Sequence, residues 1–427
     1  MKKITYTLIL SIITTSLFAQ SYVERILILN EGYFDYFSGD ILTPVSVGAY
    51  DPEIGTYVML DEIENARFAS DIVLDETSYY IAADKYLLQY NLLTDELLNA
   101  IEIPGIRKIA VDDNYIVVTR GEYLVSFDSY IQVYNKSTLN LEFEILNAEL
   151  NYTTEGVVIK DGIAYVAVNN GFNFGFEVGM IAEIDLIAHS LNNLVDLGAN
   201  GINPDNLMLD GDNIYTLNNK DFTGSSVSAY KIISGDITTT DLENISSGCG
   251  TSAFVDGSIY YQEMFGTTLS KFDPAVGTII SEEEYGISFY GLAFDNLNNL
   301  TYTSETDYFS FGKVNIFDAS GIMVNTFDVS VSPGNFAFDV RTSTAINNME
   351  EILISLYPNP AADKVTISAE KQIQIVVISD IFGKKLLEFN NVNSTTLSAD
   401  IKDLVSGNYL ISIITATNSQ TQIVSKI

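Results

Sequence analysis

The chain has 427 residues and a formal net charge of −35 at pH 7, from 56 acidic and 21 basic residues. This charge repels phosphate backbones and anionic lipid headgroups, so neither nucleic acid nor a membrane surface is an expected partner. We interpret this negative charge mainly as a source of solubility. The alternative is that it attracts cations or basic ligands. A single cysteine, Cys249, excludes an intrachain disulfide, and a single histidine, His189, argues against zinc or copper sites built from these residues.

The first 19 residues have the pattern of a secretory signal peptide. Lys2 and Lys3 precede an apolar run over 8–18, and Ala19 ends a suitable cleavage site. The run is shorter than the roughly 20 residues that a membrane-spanning helix needs. No later segment is long and apolar enough to span a bilayer. We therefore expect cleavage before Gln20 and no transmembrane segment.

Residues 20–342 contain an internal repeat. A short apolar strand ends in Asp, a tight turn follows, and a second strand carries Tyr or Ile. Successive copies are 37 to 49 residues apart, and their Asp residues are Asp75, Asp112, Asp161, Asp210, Asp256, Asp295 and Asp339. Four short strands per repeat of about 40–45 residues are typical of a β-propeller. The sequence therefore predicts an all-β fold with seven blades, while a β-helix or tandem sandwiches remain alternatives.

The two ends of this region predict how the ring closes. The first repeat begins at Arg25 without an innermost strand, and the last phrase, 335–339, has no blade of its own. We expect 335–339 to supply the innermost strand of the first blade, which would leave no frayed edge.

The repeat phrase and the segment Leu29-Asn30-Glu31-Gly32 resemble YncE-like seven-bladed propellers of bacterial surfaces, as found in Bacteroidota. The resemblance implies a role in binding small ligands or cell-wall material. It also implies, for some members, work beside outer-membrane transporters that take up corrinoids or glycans.

The loops between the second and third strands of six blades are long and aromatic, whereas the first-to-second hairpins are short turns. Because these loops share one face of a propeller, we predict a recognition surface there. The alternative is that the aromatic rings pack under their own loops. The predicted ligand-binding residues are Glu31, Tyr33, Arg120, Asn170, Phe172, Asn219, Glu263 and Glu305.

The favoured function is a binding or scaffold protein that recognises a small ligand, a glycan or a partner protein. The first alternative is an extracellular hydrolase or lyase that uses carboxylates on the same face. The second is a module that docks on an outer-membrane transporter. No catalytic residue and no metal ligand is assigned. No cofactor is predicted, and calcium has abundant carboxylates but no binding motif.

Beyond a polar linker at 343–350, residues 351–427 predict a small antiparallel β-sandwich, with strands over 364–368, 373–379 and 409–416. Residues 21–349 carry 13 basic and 48 acidic side chains, against six and eight in 350–427. This shift in composition supports a domain boundary. The last segment resembles the type A sorting domain of type IX secretion through the following residues: Tyr357, Pro358, Asn359, Pro360, Gly383, Gly407, Tyr409 and Lys426. The resemblance implies export by the type IX machinery across both membranes of a Gram-negative bacterium, to its surface or the medium.

Overall fold

The computed structural model describes residues 20–242, 251–343, 354–380, 384–415 and 419–427. The expected signal peptide, Cys249, Gly383 and the linker after Ser343 lie outside these ranges. Contacts within the chain define one unit over Ser21–Arg341 and a second that includes Thr342–Ile427. The regular secondary structure of the described ranges consists entirely of β-strands.

The described residues of the first unit form thirty short strands. In chain order they are β1 (Gln20–Asn30), β2 (Tyr33–Asp35), β3 (Asp40–Thr43), β4 (Val45–Asp51), β5 (Thr56–Ile63), β6 (Ala69–Leu74), β7 (Ser78–Ala83), β8 (Tyr86–Asn91), β9 (Leu97–Glu102), β10 (Ile106–Val111), β11 (Tyr115–Arg120), β12 (Ser129–Asn135), β13 (Leu141–Leu146), β14 (Thr154–Lys160), β15 (Ile163–Val168), β16 (Met180–Asp185), β17 (Ser190–Asp196), β18 (Pro204–Asp210), β19 (Asn213–Asn218), β20 (Ser225–Lys231), β21 (Ile237–Leu242), β22 (Ser252–Val255), β23 (Ser258–Gln262), β24 (Thr268–Asp273), β25 (Thr278–Glu284), β26 (Leu292–Asp295), β27 (Leu300–Glu305), β28 (Phe311–Phe317), β29 (Met323–Val331) and β30 (Pro333–Ser343).

Twenty-eight of these strands form seven four-stranded antiparallel sheets, which are the blades of a β-propeller, and β2 and β3 form a separate hairpin. Blades 2 to 7 each use four consecutive strands, from β6–β9 to β26–β29. Blade 1 has the order β30-β1-β4-β5, so the strand from the end of the unit is its innermost strand. The predicted seven blades and the predicted closure are both confirmed.

The core lies between neighbouring blades. Seven separate clusters of buried apolar side chains occur, one at each junction around the ring. At the junction of blades 1 and 2, for example, Leu27 and Leu29 pack with Tyr79 and Ile81. The second strand of each blade therefore buries both of its faces, which explains why sequences such as those of β7, β11 and β15 are apolar runs rather than alternating patterns.

The repeated Asp residues close the hairpins between the first and second strands. In blade 2, Oδ1 of Asp75 accepts hydrogen bonds from the backbone N–H groups of Thr77 and Ser78, each at 2.7 Å. In blade 4, Asp161 and Gly162 have φ values of 50° and 78°, as a two-residue hairpin turn requires. These hairpins are short turns, as predicted.

The opposite end of the propeller, here called the aromatic face, carries the loops between second and third strands. The loop of blade 1 contains the additional hairpin β2–β3. Ten aromatic side chains on this face are more than two-fifths exposed: Tyr36, Phe37, Tyr123, Phe174, Phe176, Phe222, Phe265, Tyr308, Phe309 and Phe311. The loops therefore place these ten aromatic rings on one face, as predicted.

The second unit is a sandwich-like fold of five strands. They are β31 (Ile354–Tyr357), β32 (Lys364–Asp380), β33 (Lys385–Asp400), β34 (Gly407–Thr415) and β35 (Ser419–Lys426). The long strand β32 changes register between Ser368 and Ile373. Its first part pairs with β31 and its last part with β34, so the sheet folds over a single apolar core. The strands predicted at 364–368, 373–379 and 409–416 fall within β32 and β34, apart from residue 416, which lies outside the described ranges.

Residues of the sorting motif hold the last strand in place. The Asn359 amide donates to the Ile423 carbonyl at 3.0 Å and accepts from the Ser425 N–H at 2.9 Å. The Tyr409 hydroxyl donates to the Val405 carbonyl at 2.6 Å. The Tyr357 side chain, which precedes the two prolines, is 77% exposed.

Candidate ligand site at the channel mouth

Two adjoining cavities lie where the central channel opens on the aromatic face, a region called here the channel mouth. Their volumes are about 260 and 180 Å³, and both are lined by Lys108, Asp205, Gly334 and Asn335. The first continues down the channel along the innermost strands. The second is bordered by the end of β1 and the segment before β26. The channel mouth is therefore a concave site built from most of the blades.

Its lining comes from two equivalent positions at the start of each innermost strand. In blades 2 to 5 these pairs are Ser70-Asp71, Arg107-Lys108, Glu155-Gly156 and Asp205-Asn206. The strand register shifts at each of these pairs, as in a β-bulge. Bulges re-aim side chains, so polar residues turn toward the channel while the rest of each strand stays in the apolar core.

Arg107 and Glu155 form an ion pair between blades 3 and 4. The guanidinium donates through Nε and Nη2 to the two carboxylate oxygens, at 3.0 and 2.8 Å. The Glu155 side chain is 6% exposed. The ring of Phe172 lies 5.1 Å from the guanidinium carbon of Arg107. A bidentate pair stacked on a ring has little freedom to rotate, so this is a rigid part of the wall.

Blades 2 and 3 are joined by a second polar cluster. Nζ of Lys108 donates to the Ser70 carbonyl at 2.5 Å and lies 4.0 Å from Oδ1 of Asp71. The Asp71 carboxylate also accepts a hydrogen bond from the Ile109 N–H at 2.8 Å. Burial nevertheless raises the pKa of Asp71, because desolvation outweighs these contacts.

Glu31 is a second carboxyl group of the channel mouth whose pKa is raised. It follows β1 directly, and its N–H donates to the Ser332 carbonyl at 2.9 Å, next to the closing strand. Burial raises its pKa to about 7, although a hydrogen bond from the Tyr290 hydroxyl and the charges of Lys108 and Arg107 oppose the shift. Among the described residues, no lysine or arginine forms an ion pair with Glu31 within 4 Å. Glu31 therefore gains and loses a proton near neutral pH.

Asp205 connects the channel mouth to a loop residue predicted from the sequence. The Asn219 side-chain amide donates to Oδ2 of Asp205 at 3.3 Å, and Asn219 itself is buried. The carboxylate of Asp205 borders both cavities. Asn219 thus orients the Asp205 carboxylate without lining either cavity itself.

Two groups of aromatic rings lie on the aromatic face. Across blades 3, 4 and 5, the ring centroid of Phe174 lies 6.0 Å from that of Tyr123 and 6.1 Å from that of Phe222. This row of three rings is called here the aromatic strip. On the side of blades 1 and 7, Tyr290 packs edge-on against Tyr308 at 5.4 Å. The rings of Phe68 and Tyr290 line the second cavity beside its charged groups, a combination typical of small-ligand sites.

Of the eight predicted residues, the structure brings three to the channel mouth. Glu31 lines the second cavity. Phe172 contacts Arg107, and Asn219 donates a hydrogen bond to Asp205. Tyr33 lies nearby, edge-on against Phe309 at 5.2 Å. The other four residues lie elsewhere on the aromatic face and line neither cavity.

These four residues make contacts within their own blades or loops. Arg120 is buried, donates to the Ser129 carbonyl at 2.8 Å and stacks on Phe127 at 4.2 Å. Asn170 adopts a positive φ of 51° and closes its own loop. Glu305 accepts a hydrogen bond from the Asn315 amide at 2.6 Å. Glu263 is half-buried, and its carbonyl accepts from the Gly266 N–H.

Sequence reasoning missed the residues that line the channel mouth itself: Ser70, Asp71, Arg107, Lys108, Glu155, Asp205, Tyr290 and Asn335. A signal was available, since a polar pair directly precedes most of the apolar–Asp phrases. Aligning the repeats on those phrases would have placed these pairs in one ring.

The described ranges contain no group of three or more His, Cys, Asp or Glu side chains arranged to hold a metal ion. They also contain no helix that is long and apolar enough to cross a membrane.

Comparison with protein families identifies the second unit. Residues 355–427 match the family of secretion system C-terminal sorting domains. The protein is therefore exported by type IX secretion to the cell surface or beyond, as predicted, and the type IX machinery is a partner. No curated protein matches the sequence.

Comparison with solved structures addresses the fold. The chain resembles the extracellular domain of a one-component system from B. thetaiotaomicron, with a TM-score of 0.50 and 12% identity, over 94% of this chain and 57% of that one. The chain thus spans little more than half the length of that protein, and at this identity the likeness shows the fold alone. A nidogen–laminin complex also matches, with a TM-score of 0.43 and 11% identity, over 62% of this chain and 94% of that one.

Proposed function

We propose that the protein is an exported, YncE-like binding propeller that holds a small polar ligand or the end of a glycan in the channel mouth. The supporting observation is the cavity pair itself, with carboxylates, Arg107 and Lys108 on its floor and aromatic rings at its rim. Polar groups fixed by neighbouring blades would set the orientation of a ligand, while the rings would supply apolar contact. The propeller over 20–342 is proposed to act as a domain separate from the sorting domain, with no cofactor.

A docking module for an outer-membrane transporter would call for a different surface. Such a partner would need a broad apolar patch covering on the order of 800 Å² on each side. The exposed rings of the aromatic face lie at loop tips around a polar depression. This arrangement favours a ligand over a large flat partner, and glycans suit it because sugar rings stack on aromatic side chains while their hydroxyl groups bind carboxylates and amides.

The test is a thermal-shift screen of the purified protein against neutral sugars, amino sugars, peptides, corrinoids and calcium. A ligand at 100 times its dissociation constant adds about 2.7 kcal/mol to the free energy of unfolding. The proposal expects a saturable shift with one class, and loss of that shift in the variants Glu31→Gln and Asp205→Asn. A flat response to the whole panel would overturn it and favour a protein partner.

The second candidate function is a carboxylate-dependent hydrolase or lyase at the same site, favoured by the pair Glu31 and Tyr290. A carboxyl group with a pKa of about 7, hydrogen-bonded to a phenol, can exchange a proton at neutral pH, as a general acid or base must. Asp205 and Glu155 line the same cavity and offer a second carboxylate. Incubation of the protein with each compound that binds, followed by mass spectrometry, would distinguish the two functions. Product formation that Glu31→Gln abolishes would favour the enzyme.

A further inference from the structure

The charges of the channel mouth do not balance. Its lining contains the carboxylates of Glu31, Asp71, Glu155 and Asp205 but only two cationic side chains, Arg107 and Lys108. The cations are engaged in the wall, Arg107 in its bidentate pair with Glu155 and Lys108 with Ser70 and Asp71. With every carboxyl group ionised, the site thus carries an excess of two negative charges.

The surroundings of the site strengthen this excess. The propeller region 21–349 carries 13 basic and 48 acidic residues, and a cleft with a net charge of one sign concentrates the field at its mouth. The second cavity is lined by Glu31 and Asp205 together with the rings of Phe68 and Tyr290. Carboxylates beside aromatic faces form the environment that an organic cation prefers, because both attract positive charge.

We propose that the channel mouth recognises its ligand through a cationic group, such as a primary ammonium, held between Glu31 and Asp205 with the neutral part of the ligand against the aromatic rings. This inference rests on the proposed small-ligand function and narrows it to amines, including amino sugars and basic peptide termini. Anionic ligands, such as acidic sugars, are excluded by the same charge.

Proton exchange at Glu31 gives the inference a signature that a neutral ligand would not show. The groups that face Glu31 are the Tyr290 hydroxyl from the segment before β26, Arg107 and Lys108 from β10, Glu155 from β14 and Asp205 from β18. With no cation bound, burial keeps Glu31 protonated below about pH 7. A cationic ligand favours the ionised form, so its binding releases a proton below that pH.

The experiment measures binding of benzylamine, benzyl alcohol and benzoate to the whole protein by isothermal titration calorimetry between pH 5 and 8. A parallel series uses glucosamine, N-acetylglucosamine and glucuronate. The ammonium of benzylamine stays charged over this range. The association constant of benzylamine is expected to rise by up to tenfold for each unit of increasing pH below pH 7, and to level off above pH 7. Buffers of different ionisation enthalpy should show proton release at pH 6.

The variant Glu31→Gln should weaken amine binding at pH 8 and abolish its dependence on pH. Glu142→Gln, which removes one exposed charge on the outer strand of blade 3, should change neither. If the neutral or acidic member of either series binds as tightly as the amine, the cationic class is overturned and the small-ligand function stands. If no member of either series binds, the cationic class is overturned, and the thermal-shift panel decides whether the small-ligand function stands.

Discussion

The carboxylate of Glu31 fits against the chain because residue 334 is glycine. A Cβ atom at Gly334 would overlap Oε1 of Glu31 and would lie 3.4 Å from the ring of Tyr290. The two residues lie near the beginning and the end of the propeller sequence, and they meet where the closing strand β30 pairs with β1. Closure of the ring and assembly of the site are therefore the same structural event.

The variant Gly334→Ala tests this relationship. The atom it displaces is the end of a flexible side chain, so the protein should fold while Glu31 moves out of its position. We expect amine binding and its pH dependence to fall to the level of Glu31→Gln. Gly39→Ala is a useful control, since a Cβ there meets nothing within 4 Å. Its positive φ of 77° should lower stability by about 1 kcal/mol and leave binding intact. Unaltered binding in Gly334→Ala would contradict the role given to Glu31.

Glu31 should also make stability depend on pH. Its pKa is raised from 4.5 to about 7 by burial, so the folded protein holds this proton more tightly than the unfolded chain. The free energy of unfolding therefore falls as the pH rises from about 4.5 to 7, by up to about 3 kcal/mol. Glu31→Gln should remove this part of the slope and gain stability relative to the wild type at pH 8. Urea unfolding at pH 5 and 8 measures the effect, and equal slopes in the two proteins would refute it.

Arg107 should contribute strongly to stability because its partner is buried. Arg107→Met leaves the carboxylate of Glu155, with a side chain only 6% exposed, without its cation. Loss of one partner of a buried pair costs about 3–5 kcal/mol. The double variant Arg107→Met with Glu155→Gln should recover much of this loss. As a matched control, Lys85→Met breaks an exposed pair with Glu102 and should cost less than about 1 kcal/mol. A similar loss in both single variants would be inconsistent with the buried pair.

The aromatic strip should affect binding without affecting folding. Phe174 is 61% exposed and touches Tyr123 and Phe222. Phe174→Ala should change the free energy of unfolding by no more than about 0.5 kcal/mol. Loss of the ring contact should weaken binding of the compound that gives the largest thermal shift by roughly two- to tenfold. Phe265→Ala, at a ring that is 92% exposed, serves as the control. Equal affinity for the wild type and Phe174→Ala would remove the strip from the site.

Ring closure should be required for a stable propeller. A chain ending at Ser343 keeps β30 beside β1, whereas a chain ending at Ser332 lacks the innermost strand of blade 1. The shorter chain exposes the edge of β1 and the apolar junction around Tyr302 and Val314. We expect it to aggregate or to unfold at a much lower temperature in size-exclusion and thermal-melting measurements. Comparable behaviour of the two chains would show that β30 is dispensable.

Much of the architecture was predictable because each blade repeats a local pattern. Asp75, Asp112 and Asp295 mark their hairpins, since each side chain accepts hydrogen bonds from backbone N–H groups of its own turn. The missing first strand and the surplus phrase at 335–339 indicated how the ring closes. The sorting domain was identified from short motifs such as 357–360. All of these features are encoded within a few neighbouring residues.

The site was harder to predict, because its residues have no special meaning in their local sequence. Arg107 and Lys108 are two of thirteen basic residues in the propeller region, and Glu155 and Asp205 are two of 48 acidic ones. Loop position suggested Glu305 and Glu263, but in the structure their blades place them away from the cavities. Loops follow local rules, whereas a channel wall is assembled from one position in each of several blades.

The sequence by itself determined that this is an exported chain with seven blades, a closing strand and an aromatic face, since periodicity, turn chemistry and sorting motifs act locally. Only the tertiary structure decided that Glu31, Arg107, Glu155 and Asp205 share one cavity. The physical reason is the closed ring, which brings residues 48 to about 300 positions apart within contact distance. Bulges at the start of the innermost strands then turn the polar side chains of Arg107, Glu155 and Asp205 toward that cavity.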